Sequence, residues 1–205
     1  MDSQIQLKDF FDKSANEYTP YYCEENIYLI CKKFEEFVQV TETKNMEAYA
    51  VILTNPTKTI FHQYQRLGHK KHNYIVIWDY HVIFLIKEKA EEKTSQTFVY
   101  DFDTILDYPC PFTEYFEKSV NFKKPKPTLF RVIESKDFLE FFASDRSHMI
   151  DEKTKQFLQP PPKFEAIVNK RGEKNNLHLF LDLSYESEGF GVVVKEEQFF
   201  ELFTK

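Results

Sequence analysis

Glycine is scarce in this chain, with four residues in 205. Loops that cradle phosphate need several closely spaced glycines, because only glycine lets the backbone come so near a ligand. Gly189-Phe190-Gly191 lacks a third glycine and runs into three valines, so it reads as a turn entering a strand. Cysteine is scarce as well. The three cysteines, at 23, 31 and 110, are odd in number and widely spaced, which is no disulfide framework. The first residues, among them Asp2, Lys8, Asp9, Asp12 and Lys13, form no apolar signal-like run, and a reducing intracellular setting is expected. No apolar run is long enough for a membrane span. The best stretch, residues 73 to 86, is interrupted by Asp79 and His81 and falls short of the roughly 20 residues that cross a bilayer, so a soluble protein without membrane contact is expected. An excess of basic charge is missing too: the formal net charge is −6, with no nucleic-acid footprint. Lys70-Lys71 and Lys123-Lys124 read as solvated loop charge. His69 and His72 have no Cys or acidic residue to complete a zinc-like spacing, so neither a metal site nor a cofactor is expected.

Aromatic residues are abundant, with 22 Phe and 12 Tyr, which predicts a core of large rings. The length suits one domain over residues 1–205. Apolar residues at Ile27, Ile30, Cys31, Phe34 and Phe37 or Val38 predict a helix over 24–38, its charged residues largely on the outer face. Glu24 and Glu25 suit its first turn, beside the positive end of the helix dipole. Strands are expected at 48–53, 74–86, 97–102, 130–133 and 191–194, helices at 112–120, 135–142 and 196–203, and a helix or loop at 175–182. Residues 60–66 fit strand or helix. Tyr108-Pro109-Cys110-Pro111 reads as a turn and Pro160-Pro161-Pro162 as an extended loop that borders a cleft or braces the surface. The result is a mixed domain of helices and antiparallel sheet.

Two polar residues, Asp79 and His81, stand inside the otherwise apolar 73–86 segment. Burying a polar group without a partner costs roughly 2–7 kcal/mol, so such residues usually have a task. If residues 87–96 form a simple hairpin connection, His81 faces residue 102, and a slip of one residue brings it opposite Asp101, within hydrogen-bond reach. Cys23 stands at the predicted helix start, where the helix dipole and a neighbouring imidazolium lower a thiol pKa; Glu24 and Glu25 oppose this if they point at the sulfur. A nucleophile (Cys23), a base (His81) and an orienting acid (Asp101) are thus available, against the reading in which each is structural. Cys31 and Cys110 read as structural, and Trp78 and Tyr80, on the strand face opposite His81, as core.

Four segments carry a resemblance: Tyr22-Cys23-Glu24-Glu25-Asn26, Trp78-Asp79-Tyr80-His81-Val82, Tyr100-Asp101-Phe102-Asp103-Thr104, and Phe142-Ala143-Ser144-Asp145-Arg146-Ser147-His148-Met149. They resemble, in order, the hallmark segments of the protein N-terminal glutamine amidohydrolase family, the WDYHV-motif proteins, and the similarity spans nearly the whole chain. Departures lie in the long 87–96 connection and the N-terminal segment. The resemblance implies a single-domain α/β/α sandwich with a mainly antiparallel sheet, similar to the transglutaminase or papain-like cysteine core, and Cys23, His81 and Asp101 as its triad. It implies deamidation of an N-terminal glutamine of proteins or peptides to glutamate with release of ammonia. The glutamate feeds arginyl transfer in the N-degron pathway, in the cytoplasm and also the nucleus, and a monomer is expected. Selecting an N-terminal residue needs an acceptor for its α-ammonium, for which Glu24, Asp79 and Asp145 are candidates, with Glu25 a further one; Asp145 is equally suited to an ion pair with Arg146. Two other readings are a different transglutaminase-like thiol enzyme, such as a peptidase or acyltransferase, and a noncatalytic binding module.

Overall fold

The computed structural model describes residue 13 and residues 16–89 and 95–205. The N-terminal stretch read as free of a signal segment, Lys13 excepted, and the middle of the 87–96 connection lie outside the described residues. The helical spacing near the N-terminus becomes helix α1, Cys23–Thr41, with Ile27, Ile30, Cys31, Phe34 and Phe37 buried. Glu24 and Glu25 are buried too, against the expectation that they face outward. They occupy the first turn, where Tyr80 covers Glu24 and Ser144 and Arg146 cover Glu25.

Among the described residues eight strands follow: β1 (Met46–Thr54), β2 (Ile60–His62), β3 (Val76–Trp78), β4 (His81–Glu88), β5 (Gln96–Tyr100), β6 (Cys110–Pro111), β7 (Leu129–Glu134) and β8 (Val192–Lys195). Six of them form one sheet in the order β6-β5-β4-β1-β7-β8, and β2 and β3 pair separately. Every ladder in both sheets is antiparallel. The segment read as one strand over 74–86 is therefore two, belonging to different sheets. The break falls at Asp79-Tyr80, where the Thr54 hydroxyl donates to the Asp79 carbonyl (3.0 Å) and Asp79 Oδ1 accepts the Tyr80 N–H (2.9 Å). The segment 108–111 is likewise more than a turn, because Cys110 and Pro111 pair with Val99 and Phe98 as an edge strand. That is a position where proline's missing N–H is tolerated.

Helices cover both faces of the large sheet. Alternate residues of a strand point to opposite sides, so Ala50 and Ile52 meet α1, α3 (Ser135–Phe141) and α4 (Leu177–Leu181) through Ile27, Phe34, Phe138 and Phe180. Val51 and Leu53 point the other way, into Phe112, Tyr115, Phe199 and Phe203 of α2 (Phe112–Tyr115, continued by a wider turn to Val120) and α5 (Glu196–Thr204). Burial on both faces explains why β1 and β4 are apolar without alternation. The expected large-ring core is present, for example in the stacked pairs Phe130–Phe199 and Phe138–Phe142.

Arg131 lies fully buried on β7. Its guanidinium donates to the carbonyls of Phe180, Phe190, Tyr185 and Asp182, fastening the segment after α4 to the sheet. The turn that closes this segment needs Gly191: its φ is +68°, and a side chain there would run into the Val132 carbonyl. Among the described residues no helix is long and apolar enough to cross a membrane.

Candidate active site

The start of α1 is fixed by side chains rather than by a capping residue on the helix itself. Asn26 reaches back one turn, its Oδ1 accepting the Thr19 N–H (2.9 Å) and its Nδ2 donating to the Thr19 carbonyl (2.8 Å). The buried Tyr22 hydroxyl donates to the Gln159 carbonyl (3.0 Å), so the proline run braces the helix start. Cys23 is thereby the first helical residue and keeps partial exposure.

His81 opens β4, and Asp101 follows the last residue of β5. The ladder pairs Phe84 with Tyr100, one residue away from the expected register, and ends there. Past that end the chain turns and carries Asp101 to His81 all the same: Nε2 and Oδ1 are 2.9 Å apart, with side chains 2% and 0% exposed. The carboxylate is surrounded by donors. Oδ1 also accepts the Asp103 N–H (2.9 Å), and Oδ2 accepts from Gln65 Nε2 and the Tyr115 hydroxyl, both at 2.8 Å. Because Tyr115 gives its proton to Asp101, His62 Nε2, 2.8 Å from the same hydroxyl, donates to it.

These contacts set the charges. Burial alone would raise the Asp101 carboxyl, but the charge and hydrogen bond of His81, with help from Gln65, hold it well below the usual carboxylate range. Burial would lower His81, yet Asp101, Asp103 and Glu24 outweigh it and raise the imidazole above its ordinary value. Burial and the nearby His81 push His62 down to about 3, so it is neutral. An ionised Asp101 requires His81 Nε2 to carry a proton, so in the neutral imidazole Nδ1 is the unprotonated nitrogen. The Trp78 indole stacks on the His81 ring (centroids 5.6 Å apart, planes 12° apart), so Trp78 covers the imidazole instead of turning away from it.

The Cys23 sulfur accepts the N–H of Val82, the residue adjoining His81. Burial is the largest influence on the thiol and raises it well above its ordinary value; Glu24 and Asp103 add to this, and the Val82 N–H only partly offsets them. The expectation that a helix start lowers this thiol is corrected. Glu24 is fully buried, and its Oε2 accepts from both the Cys23 thiol (3.6 Å) and the Tyr80 hydroxyl (3.0 Å). Tyr80 is consequently a cleft residue as well as a core one. The other oxygen, Oε1, is 3.3 Å from His148 Nε2, an ion contact rather than a well-aligned hydrogen bond. Asp79 is exposed and contributes to the field at both Cys23 and His148.

Glu25 faces another way. Arg146 donates to it from Nε (3.1 Å to each oxygen) and from Nη2 (2.9 Å), and the Ser144 hydroxyl donates at 3.1 Å. Arg146 also donates to the carbonyls of Pro162 and Phe164. The partner of Arg146 is thus Glu25 and not Asp145. Asp145 is at the surface, where Oδ1 accepts from the Ser147 N–H and Asn175 Nδ2.

A family profile described as N-terminal glutamine amidase matches residues 18–203. Three relatives carry the name protein N-terminal glutamine amidohydrolase. The one from Oryza sativa subsp. indica is 35% identical over 95% of this chain and 90% of its own length. Those from Bos taurus and Homo sapiens are each 36% identical, over 94% and 91% of this chain and 89% and 87% of their own. The chain belongs to the N-terminal glutamine amidase family.

In this member of the N-terminal glutamine amidase family the four segments that carried the resemblance converge on one cleft. Cys23 and Glu24, Trp78 to Val82, Asp101 and Asp103, and Arg146 and His148 are joined by the contacts above. Cys31 and Cys110 are buried, with burial raising both thiols, Cys110 to about 12, as befits structural residues. Ligand atoms of His81, Asp101 and Asp103 lie within 4.8 Å of one another, a spacing a cation could use. Both Asp101 oxygens are engaged as described, and Asp103 Oδ1 accepts from Tyr18 (2.8 Å) and Arg66 (3.0 Å). Gln65, Tyr115 and His62 are not marked by their local patterns, and His148, although within the 142–149 segment that carries the resemblance, is given no role by its sequence.

The Glu25–Arg146 pair yields a stability prediction. Arg146→Ala strands a buried carboxylate and should lower unfolding free energy by about 3–5 kcal/mol, whereas Glu25→Gln with Arg146→Met should recover part of the loss. Urea unfolding measures both; a change under about 1 kcal/mol for the single variant would show the pair to be dispensable.

Proposed function

We propose that this chain hydrolyses the side-chain amide of an N-terminal glutamine, giving glutamate and ammonia through a thioester on Cys23. One observation carries the reading: in a member of this family, a buried ionised Asp101 fixes His81 with Nδ1 free, next to the Val82 N–H that holds the Cys23 sulfur. The thiol starts neutral. As sulfur attacks the carboxamide carbon, its proton passes to His81 Nδ1, a C–S bond forms and the carbonyl π pair moves onto oxygen. The backbone N–H of Cys23 is a natural donor to that oxyanion. When the intermediate collapses, the C–N bond breaks and His81 returns the proton to the departing ammonia. Water then gives a proton to Nδ1 and attacks the thioester, and the sulfur leaves as thiol. Asp101 stabilises the imidazolium at each of its two appearances.

The acidic cleft suits a cationic substrate end. Glu24 is the preferred acceptor for the α-ammonium, being buried beside the sulfur with Oε1 short of a hydrogen bond. Asp79 stands at the exposed rim, and Asp145, on the His148 segment, is the more remote candidate. An antiparallel sheet flanked by helices, with the cysteine at a helix start, also suits the transglutaminase-like core. The glutamate product fits a subsequent arginyl transfer leading to protein turnover, in cytoplasm or nucleus, by a monomeric enzyme.

The test is ammonia release, with identification of the new N-terminal residue, from four matched peptides: Gln-leading, acetylated Gln-leading, Asn-leading, and one with Gln third. Only the first should react well. An Asn side chain ends one methylene short of the sulfur, and displacement by about 1 Å from attack geometry can cost a hundredfold. Acetylation removes the charge that a buried acceptor needs. Comparable rates on the acetylated or internal-Gln peptide would instead favour a general transglutaminase-like thiol enzyme.

A second prediction concerns Asp101→Asn, which preserves shape but favours the wrong imidazole tautomer. kcat should fall roughly a hundredfold to ten-thousandfold while KM moves little. A defect mainly in KM would assign Asp101 to substrate binding.

A further inference from the structure

Glu24 presents a problem to a thiol nucleophile. A fully buried carboxylate with Oε2 only 3.6 Å from Cys23 Sγ opposes formation of a second negative charge on the sulfur. On its far side stands His148. The residue as a whole is exposed, but its side chain turns inward, retains 25% exposure and places Nε2 3.3 Å from Glu24 Oε1. Tyr80 supplies a neutral donor to Oε2, and the His148 imidazole is the group that stands at Oε1.

We propose that His148 is a positioning residue for the reaction: as an imidazolium it neutralises Glu24 and thereby makes the Cys23 thiol easier to ionise. The proposal rests on Cys23 being the nucleophile, although its test needs no substrate.

The surroundings support a charged His148. It is faced by Glu24 and Glu25 from α1, by Asp79 from the β3–β4 connection, and by Asp145 and Arg146 of its own segment. Burial would lower it, but Glu24, then Glu25 and Asp79, raise it above the ordinary histidine value. Facing the sulfur are Glu24, Asp103 and Asp79, and the N–H of Val82, the residue after His81, meets it. The sign follows. Below the raised His148 pKa the imidazolium offsets Glu24; as pH rises through it the offset disappears, and the thiol resists ionisation more. The titration of Cys23 should accordingly be stretched along the pH axis rather than follow a single proton loss.

The test is the pH dependence of Cys23 alkylation by iodoacetamide, in which thiolate displaces iodide. Rates are normalised to the high-pH plateau, so that access and ionisation are separated. Cys23→Ala supplies the background from Cys31 and Cys110, and circular dichroism checks the fold of every variant. His148→Gln should slow alkylation at neutral pH about threefold to tenfold, since one unit in a thiol pKa changes the thiolate fraction about tenfold. Glu24→Gln should accelerate it, and in that background His148→Gln should have no further effect. His148→Lys, which keeps a cation, should stay close to wild type at neutral pH and lose the stretched profile. If His148→Gln does not fold, the Glu24→Gln and His148→Lys profiles decide the matter. An unchanged or faster rate in His148→Gln, an equal slowing with Glu24 removed, or a His148→Lys profile as slow as that expected for Gln would each overturn the proposal. Loss of alkylation control with retained deamidation of Gln-leading peptides refutes this role alone; normal alkylation control without deamidation refutes only the proposed function.

Discussion

An ionised carboxylate with no contact to water is the constraint from which the rest of the cleft follows. An uncompensated buried charge is very costly, so Asp101 exists as an anion only because four donors converge on it. Each donor comes from a different part of the chain: His81 opens β4, Gln65 lies in the connection between β2 and β3, Tyr115 ends α2 and the Asp103 amide lies two residues on. Satisfying Asp101 therefore locks the small sheet, the edge of the large sheet and α2 into one arrangement. The imidazole gains its orientation and its raised basicity from the same bond.

On the other side of that imidazole the balance is different. Burial raises the Cys23 thiol, and the field of Glu24, Asp103 and Asp79 around the sulfur adds to it. A preformed thiolate would be exposed to oxidants and electrophiles; a neutral thiol reacts when a base is aligned with it. The acidity that hinders the nucleophile is well suited to holding an ammonium group. Substrate binding would then relieve part of the field that raises the thiol, linking recognition of a free N-terminus to activation of the sulfur. Meanwhile Glu25, adjacent in sequence to Glu24, serves packing, its charge absorbed by Arg146 in a bond that ties the 142–149 segment to α1.

Much of this was legible in the sequence where the relevant contacts are local or periodic. The spacing of Ile27, Ile30, Phe34 and Phe37 marks the buried stripe of α1, and strands consecutive in the chain bring His81 near Asp101 even with the register misjudged by one residue. The bond survives that error because Asp101 sits beyond the ladder, where backbone pairing no longer dictates position. Polar residues at helix starts were misread, since periodicity assigns Glu24 and Glu25 to solvent and says nothing of a cleft at the helix end. The break at Asp79-Tyr80 was invisible for a similar reason: an apolar run continues through it while the chain changes sheets. Gln65 and Tyr115 are brought in by long-range packing, and nothing in their own segments signals it; His148 lies in a segment that carries the resemblance, but its contact with Glu24 is equally long-range.

The central claim is that Cys23 carries the glutamyl group as a thioester, and acid quenching followed by mass spectrometry tests it most directly. Enzyme mixed with a Gln-leading peptide and quenched within one turnover should show an adduct equal to the peptide less one ammonia, located on the Cys23 fragment and removed by hydroxylamine. Turnover without that adduct, or with an adduct on another residue, would contradict the account.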